Sequence, residues 1–321
     1  MDKNNLRQII LDFPKQLSTA LDFNHAENLP PADKFIVCGL GGSALAAGLL
    51  KVYKPELDLL IHRDYGLPRL PKYFLDDSLL ILSSYSGNTE EVLDTLQLAL
   101  AHQLKVAIIA AGGELLAAAE RLKLPHLVLP ADLPPRQAIG YFFIALCRLL
   151  GADQDLIALR ALAKILRPAE TEAAGRRLAG LTGDHRPIIY ASTVNWYLAY
   201  NWKIRFNEDS KTAAFCNVLP EMNHNELAAL DDHFIYFLLR DPADDSRIKN
   251  RFDHLATLFR KRNLTVEEII LTGASTLERI FNSVILADWT AYYLALAKGQ
   301  DPIEALMIEE FKTQIKIKSN V

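Results

Sequence analysis

Short apolar runs alternate with helix-like segments over the first half of the chain. The runs are uniformly apolar instead of alternating with polar residues, which is typical of strands buried on both faces of a parallel sheet. Segments with apolar residues at helical spacing separate them, and this order predicts helices covering both faces of that sheet. The predicted strands are residues 35–38, 58–62, 79–82, 106–110 and 126–129.

The second half repeats this arrangement. Its predicted strands are 188–190, 214–218, 233–239 and 268–271, followed by a helix over 276–297 and a last helix that ends near Lys316. At the other end, residues 1–28 are predicted to be helical around Pro14. A chain of 321 residues is long enough for two domains. We therefore predict an α/β fold with domains at 1–152 and 153–321, each a mostly parallel sheet flanked by helices, with the boundary somewhere in 152–185.

Two small-residue loops follow strands of the first domain. One is Gly39 to Ser43, and the other runs from Ser83 through Ser84 and Ser86 to Thr89. Loops at the carboxyl ends of parallel strands meet at one edge of a sheet, where ligands bind. A helix start there offers backbone N–H groups and the positive end of a dipole, and hydroxyls add donors, so a phosphate is the expected ligand. The same residues also make an ordinary turn with an N-cap, so one loop alone leaves both readings open.

Composition narrows the class of protein. Half the residues are hydrophobic, 23% are charged and the formal charge is −4, which is typical of a folded globular chain without a general attraction for nucleic acid. Cys38, Cys147 and Cys216 are scattered, so they indicate neither a disulfide framework nor a metal site. The N-terminus is polar and no run suggests a membrane span, so we expect a cytoplasmic protein.

Further motifs point to a family. The GGS loop, the SxSGNT loop and the duplicated sheet together resemble the SIS (sugar isomerase) domain, which binds phosphosugars. Three blocks sharpen the match: PRQAIGYF at 135–142, NEDSK at 207–211 and LPEMNHNE at 219–226. In this order they resemble the bifunctional phosphoglucose/phosphomannose isomerase family of archaea and some bacteria.

The resemblance implies an activity and a phosphate site. The family interconverts glucose 6-phosphate or mannose 6-phosphate with fructose 6-phosphate through a cis-enediol, without a metal or another cofactor. Carried onto this chain, the phosphate would be held by the hydroxyls and backbone of six residues. They are Gly41, Gly42, Ser43, Ser84, Ser86 and Thr89.

The resemblance also implies four catalytic residues. Glu208 would carry the proton between C2 and C1, and Arg136 would stabilise the enediolate. His224 and Lys312 would open the sugar ring. The family places this histidine in the partner subunit, so a homodimer is expected. Glu221 is a candidate to orient His224, although a role in the turn is as natural.

This sequence departs from the family pattern near its end. The segment DPIEALMIEEFK lacks the second proline and short aliphatic run of the family, although Lys312 keeps its place. Ile303, Glu304 and Ala305 precede that lysine, where the family approaches C1 and C2, so acceptance of mannose 6-phosphate is an open question. NEDSK replaces the commoner NENAK, and Lys211 has no role that the sequence assigns.

Three other interpretations compete. A phosphosugar sensor without catalysis predicts a DNA-binding domain before the first strand or a missing base, whereas only about 30 residues precede that strand and Glu208 is present. The isomerase half of a glucosamine 6-phosphate-forming amidotransferase predicts a glutaminase with Cys after Met1, where Asp2 stands. A scaffold whose loops are ordinary turns leaves the joint pattern of motifs unexplained.

Overall fold

The computed structural model describes residue 2 and residues 5–319, with side chains as far as residue 314. The chain forms two compact units. The phosphate-loop unit comprises residues 12–167 and 273–280, and the Glu208 unit comprises the remaining described residues. The units do not follow a single cut in the sequence, because the residues before 12 group with the second half and those up to 167 group with the first.

The phosphate-loop unit contains a six-stranded sheet in the order β1-β6-β5-β4-β2-β3. All neighbouring strands are parallel except β1, which pairs antiparallel with β6. Its central strand β4 is buried at every residue. The strands are β1 Asp22–Asn24, β2 Lys34–Cys38, β3 Leu59–His62, β4 Ser78–Ser84, β5 Lys105–Ala110 and β6 His126–Val128.

The Glu208 unit contains a four-stranded, fully parallel sheet in the order β10-β9-β7-β8. One of its cores is aromatic, with the rings of Tyr236 and Phe259 only 4.7 Å apart. The strands are β7 Arg186–Ser192, β8 Phe215–Leu219, β9 Phe234–Arg240 and β10 Thr265–Ile270.

Helices connect the strands in both units. In chain order they are α1 Leu6–Gln16, α2 Gly42–Tyr53, α3 Lys72–Asp77, α4 Glu90–Ala101, α5 Gly113–Leu122, α6 Ile139–Leu149, α7 Asp153–Ile165, α8 Pro168–Thr182, α9 Trp196–Glu208, α10 Ser246–Lys261, α11 Thr276–Ala297 and α12 Leu306–Ser319. The predicted α/β architecture with mostly parallel sheets is confirmed.

The sequence prediction is wrong between residues 17 and 28. The helix predicted over 1–28 ends at Gln16, residues 22–24 form strand β1, and residues 26–28 form a 3₁₀ turn. Residues 1, 3 and 4 of that prediction lie outside the described residues. A three-residue edge strand is too short to show a hydrophobic pattern of its own in the sequence. These residues form a strand because they pair with β6, as Phe23 does with Leu127.

Helix α11 is long and apolar enough to cross a bilayer by length and composition, which the sequence analysis did not anticipate. In the most apolar 18-residue window of the helix, 72% is buried inside the protein. Burial of that extent is also what a core helix of a globular protein shows.

The two sheets share one connectivity. In one, β2 continues through α2 to β3 on one side, and β4 continues through α4 to β5 on the other. In the other, β7 continues through α9 to β8, and β9 through α10 to β10. The chain thus departs in opposite directions from β2 and β4, and likewise from β7 and β9. Such a switch point opens a crevice at the carboxyl ends of the two strands.

Candidate active site

The turn from β4 to α4 is held by its own hydroxyls. Ser84 Oγ accepts a hydrogen bond from Gly87 N at 3.1 Å and shares a 2.7 Å bond with Thr89 Oγ1. Ser86 Oγ accepts from the backbone N–H of Asn88. Ser84 is buried, whereas Ser86 is exposed and Thr89 is half-buried. The turn is therefore preorganised, and Ser86 and Thr89 are the hydroxyls that face outward from it.

Gly87 is required in this turn for two reasons. Its φ of +68° lies in the left-handed region, where residues with a Cβ are strained. A Cβ added at Gly87 would also lie 1.8 Å from the carbonyl oxygen of Gly112. The turn packs directly on the loop that begins α5.

A second loop joins the first through Ser43. Ser43 Oγ accepts from Tyr85 N at 3.1 Å, and Ser43 O accepts from the hydroxyl of Ser83 at 2.8 Å. The loop after β2 is therefore fixed against the end of β4. Ser83, which the sequence analysis did not place in the site, is buried and helps to set the position of Ser43.

The segment that carries Arg136 packs on the same loop. A Cβ on Gly42 would lie 2.6 Å from the backbone nitrogen of Arg136, so only glycine allows this approach. Arg136 lies in a 3₁₀ turn after Pro134 and its side chain is 5% exposed. The structure thus brings together Gly42, Ser43 and Arg136, which are far apart in sequence.

Gln16 fixes this arginine segment. Its amide Nε2 donates to the carbonyl of Gln137 at 2.9 Å, and its Oε1 accepts from Gly140 N at 3.0 Å. Gln16 is 3% exposed, so both bonds are made away from water, where an unmade bond is costly. No pattern in the sequence signals this role, because Gln16 lies more than a hundred residues from its partners.

The two helix N-termini at this crevice differ in charge. Helix α2 begins after Gly41 without an acidic residue in its first turn, whereas α4 begins with Glu90 and Glu91. These glutamates offset the positive end of the α4 dipole. The attraction for an anion at this crevice therefore comes chiefly from the start of α2, and the SxSGNT turn contributes hydroxyl donors.

Glu208 occupies the C-terminal end of α9, in the Glu208 unit. It lines a cavity of about 750 Å³, together with Asn207, Lys203 and the segment from Gln300 to Ile308. This volume lies in the range of pockets that bind small molecules. Glu208 is half-buried, and the side chain of the preceding Asn207 accepts from Ala214 N at 2.9 Å. A carboxylate thus lines a cavity whose backbone is held in place.

A buried ion pair lies one turn before Glu208. Arg205 Nε is 2.7 Å from Asp288 Oδ1, and Arg205 Nη1 is 4.0 Å from the buried carboxylate of Asp209. Arg205 and Asp288 are each 1% exposed. Breaking such a pair strands a charge in a medium of low dielectric. The pair therefore anchors the helix end that presents Glu208.

His224 ends a 3₁₀ turn at Glu221–His224 and is exposed. Glu221 accepts from Asn225 Nδ2 at 3.0 Å, a contact within the turn. Glu226, two residues after the histidine, accepts from Tyr190 OH at 2.6 Å and also from Asn217 Nδ2. Glu226 therefore ties the segment that carries His224 to strands β7 and β8.

Lys312 lies on α12 and its side chain is exposed, with Nζ 2.8 Å from Glu309 Oε1. Residues 304–308, just before it in the chain, line the Glu208 cavity, whereas Lys312 is not among the lining residues. Backbone N–H groups of Ile303 and Glu304 both donate to Asp301 Oδ1. The divergent segment therefore forms one wall of the cavity.

The described chain contains one cluster of at least three His, Cys, Asp and Glu side chains that are close enough to share a metal ion: Asp231, Asp232 and His233. All three are exposed in a turn before β9. Exposed acidic groups are common without an ion, and the chemistry proposed below does not use them.

Residues 171–315 match the family described as the bacterial phospho-glucose isomerase C-terminal SIS domain. A solved structure with the same fold is tagatose-6-phosphate ketose/aldose isomerase from Escherichia coli, with a TM-score of 0.70, 17% identity, and coverage of 95% of this chain and 98% of that one. The family match and the fold thus define an SIS protein.

Curated relatives are similar over more than nine tenths of this chain. A bifunctional phosphoglucose/phosphomannose isomerase from Caldicellulosiruptor bescii is 32% identical, over 95% of this chain and 97% of its own length. The enzyme of the same name from Aquifex aeolicus is 30% identical, over 91% and 93%. The chain belongs to the bifunctional phosphoglucose/phosphomannose isomerase family.

Proposed function

We propose that this protein is an aldose–ketose isomerase that interconverts glucose 6-phosphate with fructose 6-phosphate through a cis-enediol. The observation that carries the proposal is Glu208, a half-buried carboxylate that lines a cavity of about 750 Å³. Family membership supports it, because the relatives above are named for this activity. A hexose 6-phosphate has a dianionic end and a reacting end, and the chain carries residues suited to each.

The phosphate end is assigned to the crevice between β2 and β4. Ser86 and Thr89 donate hydroxyls, the Gly41 to Ser43 backbone begins α2, and Ser84 holds the turn in shape. Uncharged donors suffice for a dianion where the end of a helix contributes positive charge.

The reacting end is assigned to Glu208. Its carboxylate removes the proton from C2, which turns the aldehyde into an enediolate, and it then delivers a proton, partly exchanged with solvent, to C1. The C2–H bond breaks, its electron pair forms the C1–C2 double bond, and O1 takes up a proton. The O2–H bond then breaks to form the C2 carbonyl as C1 is protonated, so the ketose has lost one C2–H and one O2–H bond and gained one C1–H and one O1–H bond. Arg136 stabilises the negative charge on the enediolate oxygens. No external oxidant or reductant is required.

Ring opening is assigned to His224 and Lys312, with the histidine donated by the partner subunit of a homodimer. The exposure of His224 supports this assignment, since it leaves the imidazole accessible to another copy. Imidazole exchanges a proton near neutral pH, which suits transfer between O5 and O1. Tethering of the neighbouring Glu226 to β7 and β8 fixes the segment that presents it.

Whether the protein also interconverts mannose 6-phosphate depends on the face of C2 to which the proton returns. Glucose and mannose differ at C2, which is planar in the enediol, so both aldoses can give the same intermediate. The face of C2 that Glu208 reaches decides which aldose forms. Glu304 and Ala305 line the same cavity and are the residues that set this choice.

We assign the protein to the cytoplasm. Cys38, Cys147 and Cys216 are free thiols, and burial raises the pKa of Cys38 and Cys147 to about 12. Unpaired thiols of this kind suit a reducing compartment. Hexose 6-phosphates are charged intermediates that a cell retains in that compartment.

The function is tested by coupled assays for fructose 6-phosphate formation from glucose 6-phosphate and from mannose 6-phosphate. We expect turnover by the wild type, loss of at least about 1000-fold in kcat for Glu208→Gln because a general base is removed, and wild-type rates for Glu170→Gln, an exposed glutamate on α8. Wild-type protein that binds these sugars without converting either would instead support a phosphosugar sensor.

Mixing two inactive variants tests the shared site. Glu208→Gln and His224→Ala chains, unfolded and refolded together, form heterodimers in which one site keeps both groups if the histidine comes from the partner. About a quarter of the wild-type rate is then expected for a twofold dimer. Equal inactivity of the mixture and of each variant alone would place both groups in one chain.

A further inference from the structure

Lys211 makes three hydrogen bonds from one ammonium group. Its Nζ donates to the carbonyls of Glu208 at 2.9 Å, Asp209 at 3.3 Å and Asp301 at 2.6 Å. Two of these carbonyls end helix α9, and the third precedes α12. A cation at the end of a helix is favourable because the last carbonyls carry the negative end of the dipole.

The backbone of Lys211 is strained in order to make these bonds. Its φ is +51°, in the left-handed region that residues with a Cβ rarely adopt. Such strain persists where the surroundings determine it, often at functional sites. The left-handed turn lets the side chain fold back toward the helix end it has just left.

The third bond joins two walls of the Glu208 cavity. One wall ends α9, and the other includes Asp301, which also organises the backbone of Ile303 and Glu304 through its carboxylate. A second link runs beside it, from Lys298 Nζ to Thr212 Oγ1 at 2.8 Å. The distance between these walls is therefore set by two lysines, of which only Lys211 contacts the backbone of Glu208 itself.

We propose that Lys211 is a positioning residue for the isomerase reaction: by clamping the Glu208 carbonyl to that of Asp301, it holds the catalytic carboxylate in its reactive position. The inference rests on the proposed function of Glu208. Lys211 is not assigned to the substrate, because an ammonium has three N–H bonds and three carbonyls already accept them. Displacement of a reacting group by about 1 Å is enough to slow a reaction about 100-fold.

The test compares four variants in steady-state kinetics and thermal melting. Lys211→Met keeps the length of the side chain without its charge, and Lys211→Arg keeps the charge. Lys211→Gly removes the clamp and also relieves the left-handed strain, so stability is retained while positioning is lost. Lys249→Met is the matched control, since Lys249 also donates to one carbonyl, that of Pro242, but lies outside the cavity.

We expect Lys211→Met and Lys211→Gly to lower kcat by about 10-fold to 100-fold with KM changed less than about twofold. Lys211→Arg should retain most of kcat, Lys249→Met all of it, and added n-propylammonium should restore part of kcat to Lys211→Gly. Wild-type kcat in both Lys211→Met and Lys211→Gly would overturn the proposal. A rise in KM with kcat unchanged would do so too, because it would make Lys211 a substrate contact.

Hydrogen exchange separates this proposal from the proposed function. In Lys211→Gly, amides 303–304 should exchange faster than in the wild type, whether or not the wild type is an isomerase. Faster exchange beside an inactive wild type would refute the function and keep the clamp. Unchanged exchange beside an active wild type would refute the clamp and keep the function.

Discussion

The crevice between β2 and β4 and the crevice between β7 and β9 are built on the same connections but hold opposite chemistry. In both crevices, the helix after the first strand has its N-cap three residues beyond the end of that strand: Gly41 after Cys38, and Asn195 after Ser192. The helix after the second strand has its N-cap five residues beyond the strand end: Thr89 after Ser84, and Asp245 after Arg240. Loop length therefore does not distinguish the two crevices.

The side chains of the loop residues distinguish the two crevices. In the β7 and β9 crevice, the buried amide of Asn195 donates to Ser192 Oγ at 3.0 Å and to Asp241 Oδ2 at 3.3 Å. Asp244 lies on the same amide at 3.5 Å. Two carboxylates thus stand where the other crevice has Tyr85 and Asn88, so a phosphate would be repelled. The repeat supplies the shape of a ligand site twice, and side-chain charge decides which copy is suited to an anion.

The largest expected effect comes from placing a carboxylate in the hydroxyl crevice. Ser86→Asp, at an exposed position, should raise KM for hexose 6-phosphates at least about 100-fold with a smaller change in kcat, because two unit charges 4 Å apart repel by about 4 kcal/mol near a protein surface. Steady-state kinetics measure this. Ser86→Asn is the matched uncharged control, and an equal rise in KM for both variants would show that charge is not the cause.

A smaller effect is expected from Gly87→Ala. Gly87 is the third residue after β4, and the third residue after β9 is already alanine, Ala243. Gly87 has a φ of +68° and faces the carbonyl of Gly112. Strain and overpacking should destabilise the protein by about 2–5 kcal/mol, measured by denaturant unfolding. Ala243→Gly serves as the control and should change stability by less than about 1 kcal/mol. Equal losses for both variants would contradict the asymmetry between the crevices.

Tyr190→Phe tests how the Glu208 unit uses its buried polar groups. Removal of the hydroxyl leaves Glu226 with the amide of Asn217 alone, which should cost about 1–3 kcal/mol of unfolding free energy. Because Glu226 tethers the His224 segment, kcat should fall more than KM changes. A change in KM with kcat preserved would place Glu226 in substrate binding.

The smallest effect is a pH dependence of stability from Asp244. Burial first, and then the charge of Asp241, raise the pKa of Asp244, while its bond to Ser192 and the charge of Lys249 act against them. The folded pKa lies above the unfolded one, so the folded state binds the proton more tightly and stability falls as pH rises through these two values. Asp244→Asn should therefore melt higher than the wild type at neutral pH and equally at acidic pH. A difference independent of pH would contradict this origin.

The sequence predicted the fold well because the strands of a covered parallel sheet are recognisable as apolar runs. The run at 79–82 became the centre of β4, and the helix over 276–297 has the predicted bounds. β1 could not be predicted, since its three residues become a strand only by pairing with β6.

For the site, the sequence predicted residue types at loops but not the contacts that fix them. The approach of Arg136 to Gly42 depends on how α6 and its preceding turn fold back onto α2. The hydrogen bonds of Gln16 and the Arg205–Asp288 ion pair could not be predicted for the same reason, because the partners lie far apart in sequence. The assignments of Glu208, His224, Lys312 and Arg136 to steps of the reaction stay predictions.

Isotope exchange at the sugar tests the central claim most directly. Wild-type protein and Glu208→Gln are incubated with fructose 6-phosphate in D₂O, and deuterium at C1 and C2 of the sugar is followed by NMR. Binding of the sugar phosphate to each protein is measured in parallel. We predict that the wild type incorporates solvent deuterium, and that Glu208→Gln binds the sugar normally but incorporates none. Deuterium incorporation by Glu208→Gln at the wild-type rate would show that another group carries the proton.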